Sequence, residues 1–166
     1  MNIITSIRNR VFGKPETNII EYVKVRDVKS PVRGTSLSAG LDFYVPNDYN
    51  TVTIEPNKSV LIPSGIHVKM DPEYVLIAFN KSGVASKKSL VIGAQVIDAD
   101  YEGEVHINLH NVGSETQTLN PGDKVTQFIL LKTNLANPVE YFNLESLYSE
   151  SKSERGTNGF GSTGNN

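Results

Sequence analysis

What most restricts the fold of this chain is a rhythm. Short runs rich in β-branched and aromatic residues recur along it, each closed by turn chemistry: IIEYVKV (19–25), LDFYV (41–45), VTI (52–54), SVLI (59–62), IHVKM (66–70), YVLIAF (74–79), LVIGAQVI (90–97), EVHINLHNV (104–112) and KVTQFILLK (124–132). Between them lie PND, EPNK, PSG, MDPE and LNPGD, where Pro, Gly, Asn and Asp supply the backbone angles that reverse a chain. Helical periodicity of ordinary length is missing; SGVASKK could form a single turn. Many short strands at close spacing in one domain predict an all-β sandwich, jelly roll or small barrel.

The 166 residues suffice for one domain with a real core. With 16 Lys plus Arg against 18 Asp plus Glu, the net charge is −2, so no broad basic surface is available for nucleic acid or a membrane. The absence of Cys removes thiol catalysis, thiolate metal sites and disulfides. Arg8 and Arg10 interrupt the N-terminal apolar residues, so that end reads neither as a secretory leader nor as a membrane span, and a cytoplasmic location is expected. The chain divides into three regions: an extension (1–18), a β domain (19–142), and a polar connector leading into a glycine-rich arm (143–166).

Several stretches could carry chemistry. VIDADYEGEVHINLH opens like an EF-hand loop, D-x-D-x-acid-G, but the twelfth position is Leu109 rather than Glu and the flanks are strand-like, which excludes that calcium site. It reads instead as a hairpin with an acidic turn. Asp98 and Asp100 on one face of an extended segment lie about 6–7 Å apart. Such a pair is either a solvated turn or a poised base. Alternation sets Val105, Ile107 and Leu109 on one face and His106, Asn108 and His110 on the other; the two histidines are then about 13 Å apart, too far for one metal ion. NKSGVASKK (80–88) lacks the second Gly of a Walker loop, yet Lys81, Ser82 and the Gly83 N–H could grip phosphate oxygens at a strand exit; an ordinary turn with surface lysines reads equally well. Asp42 sits inside an apolar strand and needs a partner, and Gln127 falls mid-strand after a Pro-Gly-Asp turn.

The chain ends RGTNGFGSTGNN, which contains G-x-G-x-x-G. A dinucleotide site needs a helix after those glycines, and only Asn165 and Asn166 come after Gly164, so that site is excluded. A plain flexible terminus and a phosphate-wrapping arm with Arg155 as its cation both fit.

Taken together and in order, AGLDFYVP, NKSGVASK, GAQVIDADYEGEV, PGDKVTQFIL and RGTNGFGSTG resemble the five motifs of the homotrimeric dUTPase (dUTP diphosphatase) family, from about residue 20 to 164. The resemblance implies a jelly-roll-like β-barrel, a homotrimer with shared active sites, and hydrolysis of dUTP to dUMP and pyrophosphate. By position it makes Asp98 the catalytic base for a water attacking the α-phosphorus. It assigns uracil to the backbone of Gly93, Ala94, Gln95, Val96 and Ile97. Tyr101 goes under the deoxyribose, and Phe160 over the base. The phosphates fall to Lys81, Ser82, Gly83, Gln127, Arg155, Gly161, Ser162 and Thr163, with Asp42 and Asp100 in support. Mg2+ is expected, held mainly by the substrate phosphates, with no direct protein metal ligand; nucleic acid and membrane are not expected partners. The chain departs from the pattern at Lys81 and Lys124, where the family usually has Arg, and at Gln95, where many members have Gly. A dCTP deaminase-like enzyme on the same fold, or a nucleotide-sensing protein with a regulatory partner, are the alternatives.

Overall fold

The computed structural model describes residues 20–158. The strands are β1 (Glu21–Lys24), β2 (Leu41–Tyr44), β3 (Val52–Ile54), β4 (Ser59–Pro63), β5 (Ile66–Lys69) and β6 (Tyr74–Asn80). They continue, after the helix α1 (Ser82–Lys88), with β7 (Leu90–Ile92), β8 (Val96–Ile97), β9 (His106–Asn111), β10 (Gln117–Leu119) and β11 (Lys124–Lys132). A second short helix, α2, spans Leu144–Leu147. The β unit closes at Asn134, and residues from Leu135 onward form a second unit.

All strand pairings among the described residues are antiparallel, in sheets ordered β2-β11-β6-β8, β4-β9-β7, β1-β5 and β10-β3. The longest of these ladders joins β11 to β6, from Thr126 opposite Asn80 to Lys132 opposite Tyr74. It unites the two most apolar runs of the sequence. One core cluster draws on both larger sheets, with Phe43, Leu76 and Phe128 from one and Ile62, Leu90, Ile107 and Leu109 from the other. The Phe43 and Phe128 rings meet at 4.5 Å and 50°. Each such side chain contributes about 1.5–3 kcal/mol by leaving water. Val105, Ile107 and Leu109 are buried, as strand alternation requires.

The observed strands match the sequence rhythm, with four differences. The run 90–97 is two strands in different sheets: β7 pairs with β9, whereas β8 crosses to β6. The acidic stretch after Ile97 is consequently a loop between sheets and not the turn of a hairpin. SGVASKK makes a full seven-residue helix, ended by Ser89 in the left-handed region. The polar strand β10 carries no apolar run to announce it. Residues 143–147, read as plain connector, hold a helical turn because the Asn143 side chain accepts from the Ser146 N–H at 2.8 Å. The extension 1–18 and the arm from Gly159 lie outside the described residues. No helix among the described residues is long and apolar enough to cross a membrane.

Candidate active site

β8 delivers Asp98 to the start of the inter-sheet loop, and a few short-range hydrogen bonds give that loop its shape. The Tyr101 N–H donates to the Asp98 carbonyl at 3.1 Å, and the Tyr101 hydroxyl donates to the Glu104 carbonyl at 3.0 Å. The ring folds back over Gly103, where a Cβ would lie 2.4 Å from the Tyr101 ring and hydroxyl; only glycine allows this approach. His106 Nδ1 meets the same Glu104 carbonyl at 2.8 Å, and His67 Nδ1 meets the Glu102 carbonyl at 2.8 Å. A carbonyl only accepts, so both imidazoles carry their proton on Nδ1.

The Glu104 carboxylate locks the loop from below. It accepts from Arg26 Nε at 2.9 Å and from the Gly65 N–H at 2.7 Å. Burial alone would raise its pKa, but these donors hold the carboxyl below the usual range.

Between this loop, β8 and β4 lies a half-open cavity of about 200 Å³, lined by Leu61, Ala94, Val96, Ile97, Asp98, Tyr101 and His106. Its walls are mostly apolar, and the exposed Asp98 carboxylate belongs to its rim. Apolar walls with a few placed polar groups suit a base and its sugar.

A second cluster gathers at the junction of β2, β6 and β11. Buried Asp42 is ion-paired to Lys81 and, at 2.7 Å, to Lys124. Burial would raise the Asp42 pKa, yet the hydrogen bonds from Lys124 and Lys81 win and hold it below its ordinary value; Lys124 is raised in turn by its bond to Asp42. Gln127 Nε2 donates to the Asn80 carbonyl at 2.9 Å, while Asn80 Oδ1 accepts from the Ile92 N–H at 2.7 Å. Ser82 and Gly83 begin α1 and are exposed, and a Cβ at Gly83 would meet nothing within 4 Å.

The Asp42 cluster predicts an acid-sensitive stability. A carboxyl depressed in the folded state stabilises above its unfolded pKa, near about 3.9, and loses that contribution as pH falls through the folded value. Asp42→Asn should therefore cost about 2–3 kcal/mol at pH 7, less than a fully enclosed pair because Lys124 can turn to solvent. The deficit should shrink below about pH 4. Urea melts at both pH values check this; equal midpoints at pH 7 would refute it.

The structure thus brings Ala94, Val96, Ile97, Asp98 and Tyr101 around one cavity, and gathers Lys81, Gln127 and Asp42 in a second group, with Asn80 linking Gln127 to Ile92 at the end of β7. Gly93, Gln95 and Asp100 are exposed on the same loop system. The N–H groups of Gly93 and Ala94 are already engaged, by the Asn108 backbone carbonyl at 3.0 Å and the Asn108 Oδ1 at 3.0 Å. Arg155 belongs to the second unit, where its Nε donates to the Asn158 carbonyl at 2.8 Å. Phe160, Gly161, Ser162 and Thr163 lie outside the described residues. Among the described residues, no group of three or more His, Asp or Glu side chains is arranged to hold a metal ion. Sequence reasoning passed over Leu61 and His106 as cavity walls; for His106 the signal was its place on the polar face of β9 beside the acidic loop.

Comparison with known proteins identifies the family and the fold. The dUTPase family model matches residues 26–164. The deoxyuridine 5'-triphosphate nucleotidohydrolase of Polynucleobacter necessarius is 36% identical over 144 residues, covering 85% of this chain and 91% of its own. The dUTPase of Staphylococcus bacteriophage 80alpha, solved with dUPNHPP, superposes with a TM-score of 0.77 at 26% identity, covering 89% of this chain and 99% of that one. A mutant dUTPase from phage phi11 of S. aureus, whose structure concerns coordination of a structural Mg(II) ion, shares the fold at 24% identity and a TM-score of 0.68, over 77% of this chain and 99% of its own. The architecture is the jelly-roll-like all-β fold of these enzymes, and the chain belongs to the dUTPase family, a family of hydrolases.

Proposed function

We propose that the chain hydrolyses dUTP to dUMP and pyrophosphate, with Asp98 as the base that orients and deprotonates the attacking water. The observation that carries this reading is the exposed Asp98 carboxylate at the rim of an apolar cavity of about 200 Å³ shared with Tyr101. The cavity takes uracil and deoxyribose. Backbone groups from Gln95 to Asp98 pair with the base edge, Gly93 and Ala94 frame them, and a close backbone leaves no space for a thymine methyl. Tyr101, held over Gly103, packs against the sugar where a ribose would carry its 2′-hydroxyl.

Water attacks the α-phosphorus in line. Its proton passes to Asp98, the bond from the α-phosphorus to the bridging oxygen breaks, and pyrophosphate leaves with the electron pair. Lys81, Ser82, Gly83 and Gln127 line the phosphate side. Arg155 and the arm residues Phe160, Gly161, Ser162 and Thr163 close over the substrate, with Phe160 on the base. Asp42 and Asp100 support the site without reacting. The shared active sites belong to a homotrimer, a reading supported by the exposed apolar side chains of Leu135, Val139, Phe142 and Leu144 in the second unit.

The residues fit a magnesium ion carried by the substrate better than one caged by protein. Lys81 already shares Asp42, and no convergent set of ligands stands among the described residues, so the oxygen donors fall to the phosphates and water. Bound in this way, Mg2+ supplies neutralisation of the triphosphate charge that few protein cations can match.

Pyrophosphate release measured with dUTP, UTP, dTTP and dCTP tests the reading. dUTP should exceed dTTP by on the order of 10⁴-fold in kcat/KM. Comparable rates on all substrates, or ammonia released from dCTP, would sink it.

A further inference from the structure

We infer that Asn108, backed by His110, is a positioning residue that sets the width of the nucleoside cavity and so the selectivity for uracil over thymine. This inference rests on the proposed base-reading role of the segment leading to Asp98.

Every polar group of the Asn108 side chain is committed. Oδ1 accepts from the Ala94 N–H at 3.0 Å and lies 3.0 Å from His110 Nε2. Nδ2 donates to the Val60 carbonyl at 3.1 Å. The amide can point only one way, since Ala94 offers a donor and Val60 an acceptor; His110 must then carry its proton on Nε2. The Asn108 backbone carbonyl meanwhile accepts from the Gly93 N–H at 3.0 Å. Two successive N–H groups are thus held by one residue, which fixes the direction of the chain as it leaves β7.

The two ends of this grip reach two stretches that line the cavity. Ala94 is itself a lining residue, and Val60 adjoins Leu61, which is another. Asn108 is a strut between them. Gly93 makes the strut possible: a Cβ there would stand 2.0 Å from Asn108 Oδ1 and 2.3 Å from His110 Nε2. Beyond Ala94 the segment is next held where the Gln95 carbonyl accepts from the Ala78 N–H at 2.8 Å, and β8 then pairs with β6. Between those two anchors there is little slack, so the placement of Ala94 and Gln95, and with it the distance from Ala94 to Leu61, depends on Asn108. A thymine methyl is refused only while that spacing is kept.

The test compares Asn108→Val with the parent enzyme in two measurements. Steady-state kinetics on dUTP and dTTP should show KM for dUTP raised and the preference for dUTP reduced, each by about tenfold, with kcat on dUTP within about threefold. Amide hydrogen exchange of the free protein should be about tenfold faster at Gly93 and Ala94. His110→Ala should show a smaller loss of preference, and His110→Gln, which keeps a donor, should restore it; this pair decides the matter if Asn108→Val does not fold. Unchanged exchange with unchanged preference overturns the strut itself. Faster exchange with unchanged preference overturns the inference differently, by showing that the base is read elsewhere. A fall in kcat alone, with KM and preference unmoved, also overturns it.

Discussion

Asp98→Asn should lower kcat on dUTP by about 10³-fold, within the usual range for loss of a general base, while dUTP binding should change by no more than a few-fold. The exchange is isosteric. The amide keeps the size and most of the hydrogen bonding of the carboxylate, but cannot accept a proton from water. Asp98 is exposed, and its backbone carbonyl, not its side chain, holds the loop through Tyr101. Folding should therefore be unaffected, which separates a catalytic loss from a structural one. Single-turnover rates with equilibrium binding of a non-hydrolysable analogue would measure both quantities. Turnover at the parental rate removes Asp98 from the mechanism; loss of binding equal to the loss of rate makes it a substrate contact instead.

Removal of residues 151–166 should cut kcat/KM on dUTP by about 10²-fold or more, because a closing arm contributes orientation and exclusion of water. The same truncation should leave the urea midpoint of the β unit unmoved. Among the described residues the buried cluster contains none beyond Phe128, and Leu130 is the last partly buried residue packed on it. Adding the severed segment back as a peptide at millimolar concentration should restore part of the activity. Full activity without residues 151–166 would mean that the phosphates are held wholly by the β unit. A collapse in stability would mean that the arm belongs to the fold.

The strand pattern was readable wherever an apolar run met a turn signal, because pairing and burial there depend on local residues. Tyr74–Asn80 and Lys124–Lys132 are of this kind. What escaped was decided by contacts distant in sequence. Gly93 within LVIGAQVI is a local hint of a break or close approach, but what makes the approach, Asn108 and His110 on a different strand standing where a Cβ would be, is not local. The loop taken for a hairpin failed for the same reason. At the candidate site, Asp98 and Tyr101 could be singled out from the sequence, and their shared cavity could not. The pairing of both Lys81 and Lys124 with Asp42 was likewise hidden, since an acid in an apolar strand announces that it needs a partner without naming one.

Asn80 has one more implication. Its carbonyl holds Gln127 and its side chain holds the backbone of Ile92, so a single residue joins β11 to the end of β7, from which the chain runs on into the cavity-lining Ala94. On the proposed assignment, in which the loop reads the base and Gln127 belongs to the phosphate half, grafting a new base preference by exchanging the loop alone should disturb the other half as well. Successful redesign will have to transplant both halves with their shared hinge pin, and natural drift in either half is bound to the other by the same tether.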